Sequence, residues 1–286
     1  MRVLKSLGLG YRTLVMGVLN VTPDSFSDGG SFLQTPSAIA RALEMLDEGA
    51  DIIDIGGEST RPSTFHDHSP LSVDEEKHRI LPVITGVLAE RPEAVISVDT
   101  YKPDVAEAAL DIGAKLINDI SGLTSGPEMA EVAAARNVPY ILMHIPGRPR
   151  ALPERTAYTD VIADIIAFLS RQADIAANAG LARNMIIVDP GIGFGKTTPE
   201  NFEIIRRLSE LRAVGFPVLV GPSRKNFIGK ALGGLPPSER LEGTAAAVAL
   251  CVAEGADIIR VHDVREMARV IKVADAVVRG TADAAG

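Results

Sequence analysis

Short β-branched runs alternate with longer segments of helical periodicity along the whole chain. Apolar runs at 13–18, 51–55, 94–98, 115–117, 139–143, 185–188, 217–220 and 257–261 each stop at polar or Gly/Pro residues, as buried strands do. Segments at 36–48, 73–90, 103–111, 127–135, 159–178, 199–214, 240–254 and 264–278 carry the spacing of helices packed on one face. Several open with Pro or follow Ser, Thr or Asp, which suits a helix start. Short apolar runs alternating with helices predict a parallel sheet covered on its outer side.

The same plan recurs in Gly49-Ala-Asp-Ile-Ile-Asp54, Gly113-Ala-Lys-Leu-Ile-Asn118 and Gly255-Ala-Asp-Ile-Ile-Arg260. Eight strand–helix units without a linker predict one α/β domain over residues 1–286, a single (β/α)8 TIM barrel rather than an open doubly wound sheet. The stretch 281–286 reads as a frayed tail.

Composition narrows the class of partner. With 46% hydrophobic, 23% charged and 4% aromatic residues, the chain is neither disordered, collagen-like nor a disulfide scaffold. The 26 glycines and 18 prolines mark many turns. A net charge of −8 supplies no basic field for nucleic acid or an anionic membrane, so an anionic ligand must be held by a local cluster. Cys251 is the only cysteine, which excludes an internal disulfide and reads as a small core residue of a helix. The start of the chain lacks a signal-peptide core, and no apolar run approaches the roughly 18 residues of a membrane span. The expectation is a soluble cytoplasmic protein.

In a barrel the active site forms where the strands end. Here those ends carry Asn20, Asp54 with Glu58-Ser-Thr-Arg61, Asp99, Asn118-Asp119, His144, Asp189, Ser223-Arg-Lys225, and Arg260 with His262. A carboxylate abutting Val-Ile-Ser-Val or Met-Ile-Ile-Val starts at the edge of a buried core and needs hydrogen-bonding partners. Asp99, Asn118 and Asp189 suit a planar, donor-rich ring edge. Arg61, Lys225, Arg260 and His262 form the expected cationic cluster, which suits phosphate or diphosphate, with Mg2+ as the usual bridge. Together they indicate an aminated heterocycle with a phosphate-type leaving group.

Two glycine-containing loops, 20–30 and 56–63, have the make-up of lids. The run Gly191-Ile-Gly-Phe-Gly-Lys196 lacks P-loop spacing. His66 and His68 read as solvated, and His78 as the wet face of a helix. His144 suits packing as well as catalysis. Phe194 could stack on a flat ring or fill a core gap.

Met16-Gly-Val-Leu-Asn-Val-Thr-Pro-Asp-Ser-Phe-Ser-Asp-Gly-Gly30 and Gly56-Gly-Glu-Ser-Thr-Arg-Pro62 resemble the two signature segments of the dihydropteroate synthase family. Ser97-Val-Asp-Thr100, Asn118-Asp-Ile-Ser-Gly122, Asp189-Pro-Gly-Ile-Gly-Phe-Gly-Lys196, Ser223-Arg-Lys225 and Arg260-Val-His-Asp-Val264 extend the resemblance over nearly the whole chain, in order. The resemblance implies a (β/α)8 barrel, a homodimer, and small-molecule substrates with Mg2+. The implied reaction joins 4-aminobenzoate to 6-hydroxymethyl-7,8-dihydropterin diphosphate, making 7,8-dihydropteroate and diphosphate for folate.

Carried over by position, Asp99, Asn118, Met143, Asp189, Phe194, Gly221 and Lys225 would form the pterin site. Thr60, Arg61, Arg260 and His262 would hold the diphosphate, and Asn20 would ligate Mg2+. Phe26, Thr60, Arg61, Pro62 and Lys225 would build the aminobenzoate site. Three departures concern the aminobenzoate side: Ile145-Pro146 before Gly147, Asn226 after Lys225, and a long stretch after Pro62. The rival readings are a methyltetrahydrofolate–corrinoid methyltransferase, which gives no reason for the two signature loops, and a non-catalytic pterin-binding homologue.

Overall fold

Each of the eight apolar runs forms a strand: β1 Leu14–Asn20, β2 Ile52–Gly56, β3 Ile96–Asp99, β4 Leu116–Asp119, β5 Tyr140–Met143, β6 Ile186–Asp189, β7 Leu219–Val220 and β8 Ile258–Val261. A computed structural model of the chain describes residues 1–22, 31–58, 71–149 and 158–280, with the side chains of 31–34 left out. The strands are all parallel and pair in the order β6-β5-β4-β3-β2-β1-β8-β7. The remaining seam, between β6 and β7, carries one bridge, in which the Val188 N–H donates to the Pro217 carbonyl at 2.9 Å. That contact brings the eighth gap of the barrel together.

Strand alternation sorts the side chains into two cores. Leu14, Met16, Ile52, Leu116, Ile141, Ile187, Leu219 and Ile258 point inward and pack with Leu4 and Leu9 at one end. Val15, Ile53, Ile55, Ile96, Val98, Ile117, Leu142, Val188 and Ile259 point outward against the helices. The strands are therefore apolar on both faces, which explains why they read as continuous rather than alternating runs.

The helices follow the periodicity closely. Val73–Glu90 is capped by Ser72, whose hydroxyl accepts from the Glu75 N–H at 3.1 Å. Val161–Asn178 starts at Asp160, which accepts from the Ile162 and Ala163 N–H groups. The segment expected as one helix over 199–214 is instead an α-helix, Thr198–Arg206, followed by a 3-10 stretch, Leu208–Val214. The break falls at Arg207, whose guanidinium is drawn to Asp160, Glu203 and Glu210. A short helix at Arg2–Ser6 and another at Asn226–Ala231 escaped the periodicity because each is shorter than two turns. The helix expected from residue 36 begins earlier, at Ser31. Among the described residues, no helix is long and apolar enough to cross a membrane.

Candidate functional site

The strand register sets the polar groups side by side. Asn20 pairs with Gly56, Gly56 with Asp99, Asp99 with Asn118, and Met143 with Asp189. Every second residue faces the barrel axis, so Asp54, Asp99, Asn118, Met143, Asp189 and Arg260 continue the inward rows above the lower core. The apolar lining ends and a polar floor begins within one step of each strand.

Arg260 organises that floor. Its Nε donates to Asp54 Oδ2 at 2.6 Å, and its Nη2 donates to Asp99 Oδ2 at 2.6 Å. Asn118 Nδ2 donates to the same Asp54 oxygen at 2.9 Å. The second oxygens of both acids, Asp54 Oδ1 and Asp99 Oδ1, are buried without a hydrogen-bond partner among the described residues. An unpartnered buried acceptor costs free energy unless a ligand donor meets it. Burial pushes Asp99 up to about 7, against the pull of Arg260. On the far side, Asp189 Oδ1 accepts from the Gly191 N–H at 2.7 Å, and burial likewise raises this acid.

The loop after β6 supplies the facing wall. Gly191, Gly193 and Gly195 sit at φ +66°, +83° and +60°, where side-chain-bearing residues are strained. A Cβ on Gly191 would lie 2.0 Å from the His144 carbonyl, so this turn requires glycine. Lys196 Nζ donates to the Gly191 and Phe194 carbonyls at 2.8 and 3.1 Å. Asn201 accepts from the Gly193 N–H at 2.6 Å and donates to the Lys196 and Thr197 carbonyls. The laced loop places Phe194 beside Met143, Ile120 and Ile145, a small apolar cluster. Lys225 Nζ lies 4.8 Å from the Phe194 ring centre and donates to the Ile192 carbonyl. Burial lowers Lys225 to about 8, with Asp189 holding it up, and lowers Lys196 to about 7.

Three members of the expected cationic cluster, Lys225, Arg260 and His262, lie among the described residues, and the Arg260 charge acts on Lys225. Arg260 sits on Asp54 and Asp99, Lys225 sits over Phe194, and His262 Nδ1 is 3.0 Å from Ser223 Oγ. Acids offset the desolvation of both Arg260 and Lys225. Gly221 follows β7 and packs beside Arg260, where a Cβ would lie 3.6 Å from the Arg260 Cβ, an ordinary contact. Arg224 pairs with Asp263 and stands outside the polar floor. Asn226 is exposed and opens the short helix after Lys225. Phe26, Thr60, Arg61, Pro62, His66 and His68 lie outside the described residues.

Asn118 and Asp119 part company although they are adjacent. Asn118 points inward, whereas Asp119 accepts from Ser121 N–H and Oγ, both at 2.7 Å, and from the Tyr140 hydroxyl at 2.6 Å. Asp119 therefore braces the β4 turn. His144 packs edge-on against Phe168 with ring centres 4.8 Å apart, and burial beside Lys196 holds it neutral, down to about 2. Its Nδ1 is buried with no hydrogen-bond partner among the described residues. His78 is exposed on its helix.

Asp54 was expected only as a polar strand end, without a role toward a ligand, and Lys196 and Asn201 were not among the expected site residues. Inward parity from Ile52 could have revealed Asp54; no local signal marks Asn201. Asn20 stands half-buried at the end of β1. Among the described residues, no group of three His, Cys, Asp or Glu side chains is placed to hold a metal. A cleft of about 590 Å³ at the opposite end, lined by Lys5, Arg183, Phe216 and Asp257 among others, offers no unpartnered buried side-chain acceptor among the described residues. The two unpartnered acid oxygens inside the barrel, on Asp54 and Asp99, lie toward the C-terminal ends of the strands.

Comparison with known proteins agrees with this geometry. Residues 16–262 match the family model described as pterin binding enzyme. The chain is 50% identical over 270 residues to a dihydropteroate synthase of Synechocystis, covering 94% of this chain and 92% of that one. It superposes on a Clostridium difficile dihydropteroate synthase solved in the presence of pteroic acid with a TM-score of 0.87, at 44% identity, covering 95% and 99% of the two chains. A Xanthomonas albilineans dihydropteroate synthase with 4-aminobenzoic acid gives a TM-score of 0.85 at 41% identity and 93% coverage of each chain.

Proposed function

The chain belongs to the dihydropteroate synthase family of pterin-binding enzymes, and from that premise we propose how its own residues carry the reaction. It is a transferase of folate synthesis: 6-hydroxymethyl-7,8-dihydropterin diphosphate condenses with 4-aminobenzoate, a C–N bond forms, and diphosphate leaves. The observation that carries the assignment of roles is the row of inward acceptors on neighbouring strands, two with buried unpartnered oxygens, facing an apolar wall.

Asp99, Asn118 and Asp189 meet the N–H donors of the pterin edge, while Met143 and Phe194 cover its flat face. Lys225, protonated near neutrality with its value at about 8, donates to the ring carbonyl. Gly221 lines the ring beside Arg260, with which it is in contact range. As diphosphate departs, positive charge grows on the electron-rich ring, and the buried carboxylates stabilise it. Arg260 and His262 sit at the end of β8 on the leaving-group side, and Thr60 and Arg61 complete that role.

Asn20 presents a neutral amide oxygen where no acidic cage is found among the described residues. That donor suits Mg2+, which keeps water and phosphate oxygens in its shell and needs few protein ligands. When bound, Mg2+ neutralises charge on the leaving diphosphate. The aryl amine is a weak neutral nucleophile, so Phe26, Thr60, Arg61, Pro62 and Lys225 act by orienting it and excluding water.

The working form on this reading is a cytoplasmic homodimer. The single buried thiol suits a reducing compartment, and exposed Leu250, Val273 and Val277 on adjacent outer helices give a partner an apolar stripe. Sedimentation at micromolar concentration distinguishes dimer from monomer.

Incubating the protein with pterin diphosphate, 4-aminobenzoate and Mg2+ should yield dihydropteroate and diphosphate in equal amounts. Asp99→Ala should lose pterin binding while remaining folded. Folded wild-type protein that forms neither product would overturn the activity, and undiminished pterin binding by Asp99→Ala would overturn the assignment of the pocket.

A further inference from the structure

Asp54 has no role in the assignments above, yet it is fully buried and touches two of the residues they name. Its Oδ2 accepts from Asn118 Nδ2 at 2.9 Å and from Arg260 Nε at 2.6 Å. It sits one inward step below Gly56, in register with Val18 and Ser97. We propose that Asp54 is a specificity-determining positioning residue, which locks the Asn118 amide so that Oδ1, not Nδ2, faces away from the polar floor toward the ring edge.

The physical basis is the chemistry of the two groups. A side-chain amide is nearly symmetric in shape, but one end only donates and the other only accepts. A carboxylate accepts. Turning the Asn118 amide over would set its oxygen against Asp54 Oδ2, two acceptors face to face in a buried site. Arg260 reinforces the lock, because its Nε holds the shared oxygen in place while Nη2 is tied to Asp99. With the amide fixed, Asn118 Oδ1 joins the unpartnered Asp99 Oδ1 as a set of acceptors.

An acceptor set selects a ligand by its donors. The inference rests on the reading that Asn118 meets the pterin. A pterin bears an amino group at ring position 2; its 2-oxo counterpart, a lumazine, bears a carbonyl there and would oppose acceptor to acceptor. Asp54 thus favours the 2-amino ring over the 2-oxo ring without touching either. A site built to hydrogen-bond one group rejects an analogue lacking it because buried polar atoms are left unpaired.

The test is calorimetric binding of 6-hydroxymethylpterin and 6-hydroxymethyllumazine to wild type, Asp54→Ala, Asp54→Asn and Asn118→Ala. Asp54→Ala frees the amide to turn, and the preference for pterin over lumazine should fall about tenfold, the value of one hydrogen bond. Asp54→Asn should keep the preference within about threefold, because Arg260 Nε retains the new amide with its oxygen in the shared position. A merely structural role would weaken both ligands equally, and an unchanged ratio in folded Asp54→Ala would overturn the proposal.

A second measurement needs no Asp54 variant. The Asn118 side-chain NH2 of the wild type, identified by its loss from the spectrum of Asn118→Ala, should exchange slowly with solvent. Exchange at the rate of an exposed asparagine would overturn the lock. Asn118→Ala also separates the two layers of inference. If it leaves pterin affinity intact, the site assignment fails and the Asp54 role with it; if it weakens pterin while the Asp54→Ala ratio stays constant, only the Asp54 role fails.

Discussion

Replacing Arg260 by Met removes the guanidinium from Asp54 and Asp99 while keeping the bulk of its stem, and the cost should depend on pH in a defined way. In the wild type, burial raises Asp99 from 3.8 to about 7 although Arg260 pulls it down. The folded protein therefore holds this proton more tightly than the unfolded chain. The stability that the proton contributes is present below pH 3.8, and it is lost as pH rises to about 7. At about 1.4 kcal/mol per pH unit, the loss over that window amounts to roughly 4 kcal/mol.

Without Arg260 the value for Asp99 moves above 7, so the window of loss extends upward. Near pH 6 Asp99 is protonated in both proteins, and the variant forfeits mainly the bond to Asp54, about 1.5–3 kcal/mol for a hydrogen bond to a charged group. Between about pH 7 and pH 9 the deficit should grow by up to about 1.4 kcal/mol per unit. The assay is urea unfolding of ligand-free protein at several pH values, followed by far-UV circular dichroism because the chain has no tryptophan. A deficit that stays constant from about pH 6 to pH 9 would refute the argument that Arg260 serves to hold Asp99 ionised.

Three further outcomes follow from the same geometry. The pH profile of kcat/KM for the pterin substrate should be a narrow bell, with limbs near 7 and 8, where Asp99 gains a proton and Lys225 loses one; a plateau from about pH 6 to pH 9 would contradict it. Gly191→Ala places a methyl 2.0 Å from the His144 carbonyl at φ +66°, so it should destabilise by more than about 3 kcal/mol or fail to fold, as a thermal melt would reveal. Cys251 is fully buried and burial pushes its thiol up to about 12, so iodoacetamide should label it only after denaturation, as mass spectrometry can follow.

Much of the fold was legible because parallel-barrel strands are buried on both faces and their helices show one apolar stripe. All eight strands fall on the apolar runs, and the helices Val73–Glu90 and Pro103–Asp111 coincide with the periodic segments. The interruption at Arg207 was not legible, and part of what its guanidinium meets there is Asp160, 47 residues away in sequence. Within the site, Asp99, Asn118 and Asp189 could be found because acids and amides abut apolar runs. Lys196 and Asn201 could not, because their bonds go to backbone carbonyls and an N–H of a glycine loop whose shape no local pattern specifies.

By itself, the order of residues determined the number of strand–helix units, the end of each strand at which polar groups gather, and the motifs that mark the family. Only the tertiary structure decided which of those groups share a cavity. Strand parity turns Asn118 inward and Asp119 outward although they are neighbours in sequence. Parallel register brings Arg260, at the far end of the chain, onto Asp54 and Asp99, and so makes partners of charges that the sequence leaves 206 and 161 residues apart. The reason is physical: periodicity is a local property of the backbone, whereas the free energy of a buried charge depends on which other charge the closed barrel puts within hydrogen-bonding distance.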